Sequence, residues 1–138
     1  MRVQVTQHYP QAPETVYAYM SDPRNMPAWN SAVTSVEPLD GGTRYVMRRD
    51  LPSGAATNEL DVVCSVPPSA LTIRTLTGPT PFTYHYTLES AAGGTTLRLD
   101  GEVELGSVIA LAGPLATRFV ERGIAANLAT LGLILDAR

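Results

Sequence analysis

Several things are scarce in this chain, and each scarcity removes a class of function. Clustered positive charge is the first. The formal net charge is −3, whereas gripping a phosphate backbone takes a concentrated cationic face. Arg48-Arg49 is only a pair, and on a strand its two side chains point to opposite faces. Nucleic acid is therefore not an expected partner. Cysteine is the second. Cys64 stands alone, so no intramolecular disulfide can form, which fits a reducing compartment. Long apolar runs are the third. No charge-free run reaches the roughly 20 residues that span a bilayer, and the most apolar stretch, 108–115, is interrupted by Gly113-Pro114. The opening MRVQVTQHYPQAPETVY lacks the unbroken apolar centre of a secretory signal. These readings predict a cytoplasmic protein with no stable membrane insertion. Charge of either sign is also sparse, at 17% against about 25% in an average domain.

What is present is enough apolar material for a core. Hydrophobic residues make up 44%, which argues against disorder, and 138 residues predict one domain over 1–138. Residues 2–9 alternate, with Val3, Val5 and Tyr9 on one parity, and predict a half-buried strand. Pro13 and Glu14 suit the first turn of a helix over 13–20, where Val16, Tyr17 and Met20 recur at helical spacing. Asp22-Pro23 reads as a cap and first-turn proline for a second short helix over 23–29. The period then changes to two. Strands are predicted over 32–38, 44–51, 57–66, 69–77, 81–90 and 95–105, separated by Gly- and Pro-rich turns such as Pro67-Pro68, Gly78-Pro79 and Gly93-Gly94. From 107 to 136 the period is helical again. Val120, Ile124, Leu128, Leu131 and Leu135 form one stripe, and Val108, Ala112, Leu115 and Phe119, with Leu111 nearby, form another on nearly the opposite side. Either the helix bends at Gly113-Pro114 or one stripe faces something other than the sheet.

A long antiparallel sheet needs its apolar face covered, and the terminal helix is the only large element available. A twisted sheet wrapped round one helix leaves space between them, and large apolar side chains can line that space as a cavity. Here the chain resembles a known family. Ala12-Pro13-Glu14-x-Val16-Tyr17, Met20-Ser21-Asp22-Pro23, Asn25-Met26-Pro27-x-Trp29-Asn30, the Gly41-Gly42 turn and Asn127-Leu128-x-x-Leu131 are similar to the START-like (SRPBCC) helix-grip superfamily, in its polyketide cyclase/dehydrase branch. The resemblance covers essentially the whole chain. It implies an α+β helix-grip fold: a curved antiparallel seven-stranded sheet around a long C-terminal helix, with two short helices after the first strand. It also implies a hydrophobic ligand, but not one activity.

The expected cavity wall is Trp29, Tyr45, Met47, Leu60, Val62, Phe82, Tyr84 and Tyr86, with Leu99 and Phe119 as further ligand-binding candidates. Tyr84 and Tyr86 are singled out because a buried phenol needs a partner for its hydroxyl, which a ligand carbonyl or a water can supply; plain core packing is the alternative. Arg49 shares parity with Tyr45 and Met47, so it either reaches into the pocket to orient a carboxylate, enolate or phenolate, or snorkels at the rim. Asn58 begins the facing strand and would share that polar end. Trp29 serves as a wall residue and an anchor for the short helices. Gly101 marks a bulge or bend. His8 and His85 take polar parities and read as surface positions, not catalytic bases. With Cys64 they show no metal-ligand spacing, so no metal or cofactor is expected. Cys64 shares parity with Leu60 and Val62 and reads as a buried, inert thiol.

The function expected on these grounds is binding of a hydrophobic small molecule (a lipid, polyketide or aromatic metabolite) by a carrier or sensor. The alternative is a cyclase/dehydrase-type enzyme acting on a poly-β-keto or related chain, for which no acid–base pair or catalytic residue stands out. The 108–119 stripe reads first as cover for the pocket mouth. A partner subunit, making a homodimer, and a membrane surface remain open as its other uses.

Overall fold

The structure is a computed structural model that describes residues 1–106 and 113–138. Eight residues, Arg2–Tyr9, form β1 with Val3, Val5 and Tyr9 turned inward. Pro13–Met20 form α1, which starts on a proline and buries Val16, Tyr17 and Met20. Asp22 then caps a short 3-10 turn, Pro23–Asn25, by accepting a bond from the Arg24 N–H, and α2 (Met26–Trp29) follows directly. The second predicted helix is thus split into two short pieces. Six strands come next: β2 (Val33–Pro38), β3 (Arg44–Leu51), β4 (Gly54–Val66), β5 (Ala70–Thr77), β6 (Phe82–Ala91) and β7 (Gly94–Val103). The final helix, α3, spans Pro114–Asp136.

All seven strands make one antiparallel sheet in the order β1-β7-β6-β5-β4-β3-β2. The strands from β2 to β7 run as a meander, because each turn is short and carries the residues that reverse a chain. The first strand lies at the far edge, beside β7. The two short helices therefore carry the chain from one sheet edge to the other and close one end of the molecule. Alternation is clearest in β7, where Thr95, Leu97, Leu99, Gly101 and Val103 are buried and the residues between them face outward. The outer face pairs charges across strands, as Arg2 and Glu102 do at 3.5 Å.

The inner face is covered by α3. Its Ile124, Leu128, Leu131 and Leu135 stripe is buried as the 3.6-residue period requires. Tyr9 ties the helix to β1, its hydroxyl donating to the Leu128 carbonyl at 2.8 Å. Two sequence expectations meet the structure here. The predicted 107–136 helix is described from Pro114 on: Gly113 adopts φ 56°, and Pro114, with its fixed φ and missing N–H, opens α3. Val108, Leu111 and Ala112 of the second stripe lie outside the described residues. Gly101 makes no bulge, since the pairing on both of its sides runs on without a shift. A Cβ there would stand 2.8 Å from the Tyr84 ring and 2.9 Å from Val3, so the glycine gives Tyr84 room.

Cys64 is a further correction. It is exposed, not buried. Val62 pairs with Ile73 and Cys64 with Thr72, which leaves Val63 as the extra residue of a bulge. The bulge breaks the two-residue parity, and Cys64 comes to lie on the outer face beside Thr72.

Candidate functional site

The sheet and α3 do not meet everywhere. Toward the α2 end of the sheet they part to leave a cavity of about 170 Å³. Its floor is Met47, Tyr86 and Leu99; Phe82, Tyr84 and Arg49 stand to one side, and Trp29 and Val33 close another. The roof belongs to α3, through Val120, Gly123, Ile124 and Leu128. Where α3 passes the segment after α2, the Asn127 amide oxygen accepts from the Ser31 N–H at 3.2 Å. Gly123 is exposed and nothing lies within 4 Å of where its Cβ would stand, so the roof is thin at that point.

Seven of the sequence-predicted residues therefore line one space: Trp29, Met47, Arg49, Phe82, Tyr84, Tyr86 and Leu99. Five do not. Leu60 is fully buried in solid packing, and Tyr45 and Val62 pack half-buried against the same core. The cavity thus occupies only the Met47–Arg49 end of the inner face, and the Tyr45–Leu60 end is filled. Phe119 is 77% exposed and is not among the residues that line the cavity. Asn58 does not line the space but supports it, as described next. Sequence reasoning missed Asn30, Ala32 and Val33: the last two fall at the start of the predicted strand 32–38 and Asn30 just before it, where alternation alone does not say which side chains reach the cavity. It named Val120, Ile124 and Leu128 only as a core stripe.

The polar end is built around Arg49. Its Nε and Nη2 both donate to the Asn58 side-chain oxygen, at 3.0 and 2.7 Å. Asn58 is fully buried and fully satisfied, because its NH₂ donates to the carbonyls of Thr77 and Pro79, each at 2.9 Å. Nη2 also donates to the Pro79 carbonyl at 2.8 Å and the Thr80 hydroxyl at 2.6 Å. The turn that supplies these oxygens needs Gly78, at φ 98°, since a Cβ there would fall 2.3 Å from the Thr57 carbonyl. Thr80 itself is held at φ 47°, a strained conformation for a β-branched residue that its bond to Arg49 helps to fix. Phe82 lies under the guanidinium carbon at 5.7 Å, within cation–π range.

Arg49 is thus oriented by neutral oxygens alone. None of the ion pairs among the described residues includes it, and burial pulls its pKa down. Nη1 has no partner among the described residues. Next to it, Phe82 and Tyr84 stack at 4.4 Å, and Tyr84 meets Tyr86 edge-on at 6.3 Å. Neither tyrosine hydroxyl has a hydrogen-bond partner among the described residues. Burial raises the Tyr84 phenol to about 12, with the Arg49 charge opposing the rise. Burial, then the neighbouring Tyr84 and Tyr9, raise Tyr86 further. Both phenols are neutral donors at physiological pH. No carboxylate or imidazole lies among the described residues of the wall. His8 and His85 are exposed on the outer face, bonded to Thr96 and Thr72. The described residues hold no group of three or more His, Cys, Asp or Glu side chains placed to hold a metal ion.

A seven-stranded antiparallel sheet gripping one long helix, with a cavity between, defines a START-like helix-grip protein. The chain belongs to the polyketide cyclase / dehydrase and lipid transport family, whose model matches residues 1–133. Solved structures share the fold at low identity. A START superfamily protein from Mycobacterium smegmatis is 14% identical, with a TM-score of 0.80 over 99% of this chain and 97% of that one. A protein from Thermus thermophilus is 16% identical, with a TM-score of 0.79 over 99% and 98%. The di-domain ARO/CYC StfQ from the steffimycin biosynthetic pathway is 18% identical, with a TM-score of 0.75; the match covers 99% of this chain and 51% of that one. A comparison with curated proteins found no match. No helix among the described residues is long and apolar enough to cross a membrane.

Proposed function

We propose that this protein binds a hydrophobic small molecule in the cavity between sheet and α3, as a carrier or sensor. One observation carries the reading: apolar and aromatic side chains from β2, β3, β6, β7, α2 and α3 surround an open volume instead of closing on it. Dense packing is the rule for protein interiors, and a void forfeits contacts on every side. A lining of Trp29, Met47, Phe82, Leu99 and Leu128 suits an apolar body, with Arg49 and Tyr84 left for a polar end.

The test uses the chain's single tryptophan, which stands on the cavity wall. Toluene, a neutral apolar probe, is expected to shift the emission of Trp29 saturably and to raise the melting temperature. No saturable shift and no thermal stabilisation would remove the binding account. A second reading, cyclase/dehydrase-type catalysis on a poly-β-keto or related chain, is favoured by a different observation. A cation and a neutral phenol, Arg49 and Tyr84, share one wall and interact. Together they could stabilise an enolate oxygen by donating to it. The fold shared with the ARO/CYC protein adds to this reading. The want of a carboxylate or imidazole on the described wall keeps it second.

A further inference from the structure

Size and charge narrow what the cavity holds. Its volume, about 170 Å³, is close to that of an engineered apolar cavity of about 150 Å³ that takes up a single benzene. A long acyl chain or a fused multi-ring skeleton would have to extend out of its open side. The wall also carries a row of aromatic rings, in which Phe82 stacks on Tyr84 and Tyr84 meets Tyr86 edge-on. Such a row meets a planar ring well.

The charge is the sharper clue. A half-buried guanidinium normally sits against a carboxylate, because an uncompensated charge away from water is costly. Arg49 has no carboxylate among the described residues. Asn58, Pro79 and Thr80 hold its Nε and Nη2 in place through uncharged oxygens, and Nη1 has no partner among the described residues. Beside it are two phenols whose hydroxyls have no partner among the described residues, one of them, Tyr86, only 5% exposed. The free side of Arg49 and these two phenols therefore border one small space that offers no anion among the described residues, and Trp29 Nε1, buried on the same wall, has no hydrogen-bond partner among them either. A neutral apolar occupant would match none of these donors.

We propose that the occupant is a compact aromatic acid, about one ring in size, with its carboxylate on the free side of Arg49 and its ring against Tyr84 and Tyr86. This rests on the cavity being a ligand site. The alternative for Arg49 is a purely structural clamp on the 79–80 turn, and the two differ in what they discriminate. A clamp is indifferent to ligand charge. An anchor separates an acid from its amide by about tenfold or more, the range of a charge-assisted bond.

The experiment compares four probes on the wild-type protein by Trp29 emission and thermal shift: toluene, benzamide, benzoate and hexadecanoate. Benzoate is expected to bind at least about tenfold more tightly than benzamide, and hexadecanoate more weakly than benzoate. Arg49→Gln is expected to bring benzoate and benzamide level while toluene binding persists. Equal binding of benzoate and benzamide to the wild type, with toluene bound, would overturn the acid and leave the cavity standing. Tighter binding of hexadecanoate than of benzoate would overturn the size limit. Failure of all four would overturn the cavity reading itself. The wild-type comparison needs no variant, so it decides the matter even where Arg49→Gln loosens the turn.

Discussion

Three tyrosines link single side chains to the stability of the whole chain. Tyr9, Tyr84 and Tyr86 all have phenols pushed up by burial, Tyr84 from the ordinary 10.0 to about 12. Below pH 10 a phenol is neutral folded or unfolded and contributes no pH dependence. Above pH 10 the unfolded chain releases protons that the folded chain keeps, so stability falls. The slope is about 1.4 kcal/mol per pH unit for each such phenol, and for Tyr84 it runs out near pH 12. The chain contains no lysine, so the alkaline limb is unusually free of other groups. Urea unfolding between pH 10 and 12 is expected to show this steep loss, and Tyr84→Phe to reduce the slope there by up to one proton. An unchanged slope in that variant would mean that Tyr84 ionises in the folded state as it does in the unfolded. The inward parity of these tyrosines was legible in the alternation of β1 and β6. The parity of Cys64 was not, because one extra residue at Val63 turns it over, and a bulge leaves no mark in the alternation of Leu60 and Val62. The Arg49–Asn58 partnership was half legible. The hairpin at Pro52-Ser53 brings the two strands together, but only the register, with Met47 opposite Asn58, sets their diagonal contact. Nothing in Gly78-Pro79-Thr80-Pro81 beyond its turn chemistry announced that it would grip the guanidinium.

Two glycines in α3 show what an element imposes. Within a helix, glycine costs about 1 kcal/mol relative to alanine. At Gly123 a Cβ would meet nothing within 4 Å, whereas at Gly132 it would stand 3.2 Å from the Tyr9 ring. That ring is buried and pinned by its bond to the Leu128 carbonyl, so it has nowhere to go. Gly123→Ala is therefore expected to stabilise the protein by about 1 kcal/mol, and Gly132→Ala to be neutral or destabilising despite the same gain in helix propensity. Paired thermal melts decide it, and equal shifts in the two variants would refute the Tyr9 contact. No sequence pattern separates the two positions, since the difference comes from β1, at the other end of the chain. Element identity is another matter. Every strand and helix was legible, because alternation and turn residues report local geometry directly. The start of α3 was not, because the apolar period runs on through 107–112. Only Gly113 and Pro114 mark that start, and the same pair also suits a bend.

At the scale of the molecule, the cavity exists because two constraints are met at different ends of one face. Tyr45, Leu60 and Val62 fill the space under the sheet at one end, and the inner side chains at the other stop short of α3. Stability alone would favour closing that gap, since lost contacts scale at about 24 cal/mol for each Å³ left open. Leu99 stands on the cavity floor, buried between Val5 and Tyr86 on the neighbouring strands. Leu99→Phe extends a ring into the gap without touching Arg49 or its turn. The variant is expected to melt higher than the wild type by the equivalent of about 1 kcal/mol and to lose the thermal shift that toluene gives the parent. Stability and binding would then move in opposite directions from one substitution, as they must if the open volume is kept for an occupant. Were the variant to keep its response to toluene undiminished, the probe would be binding somewhere other than the space beneath α3.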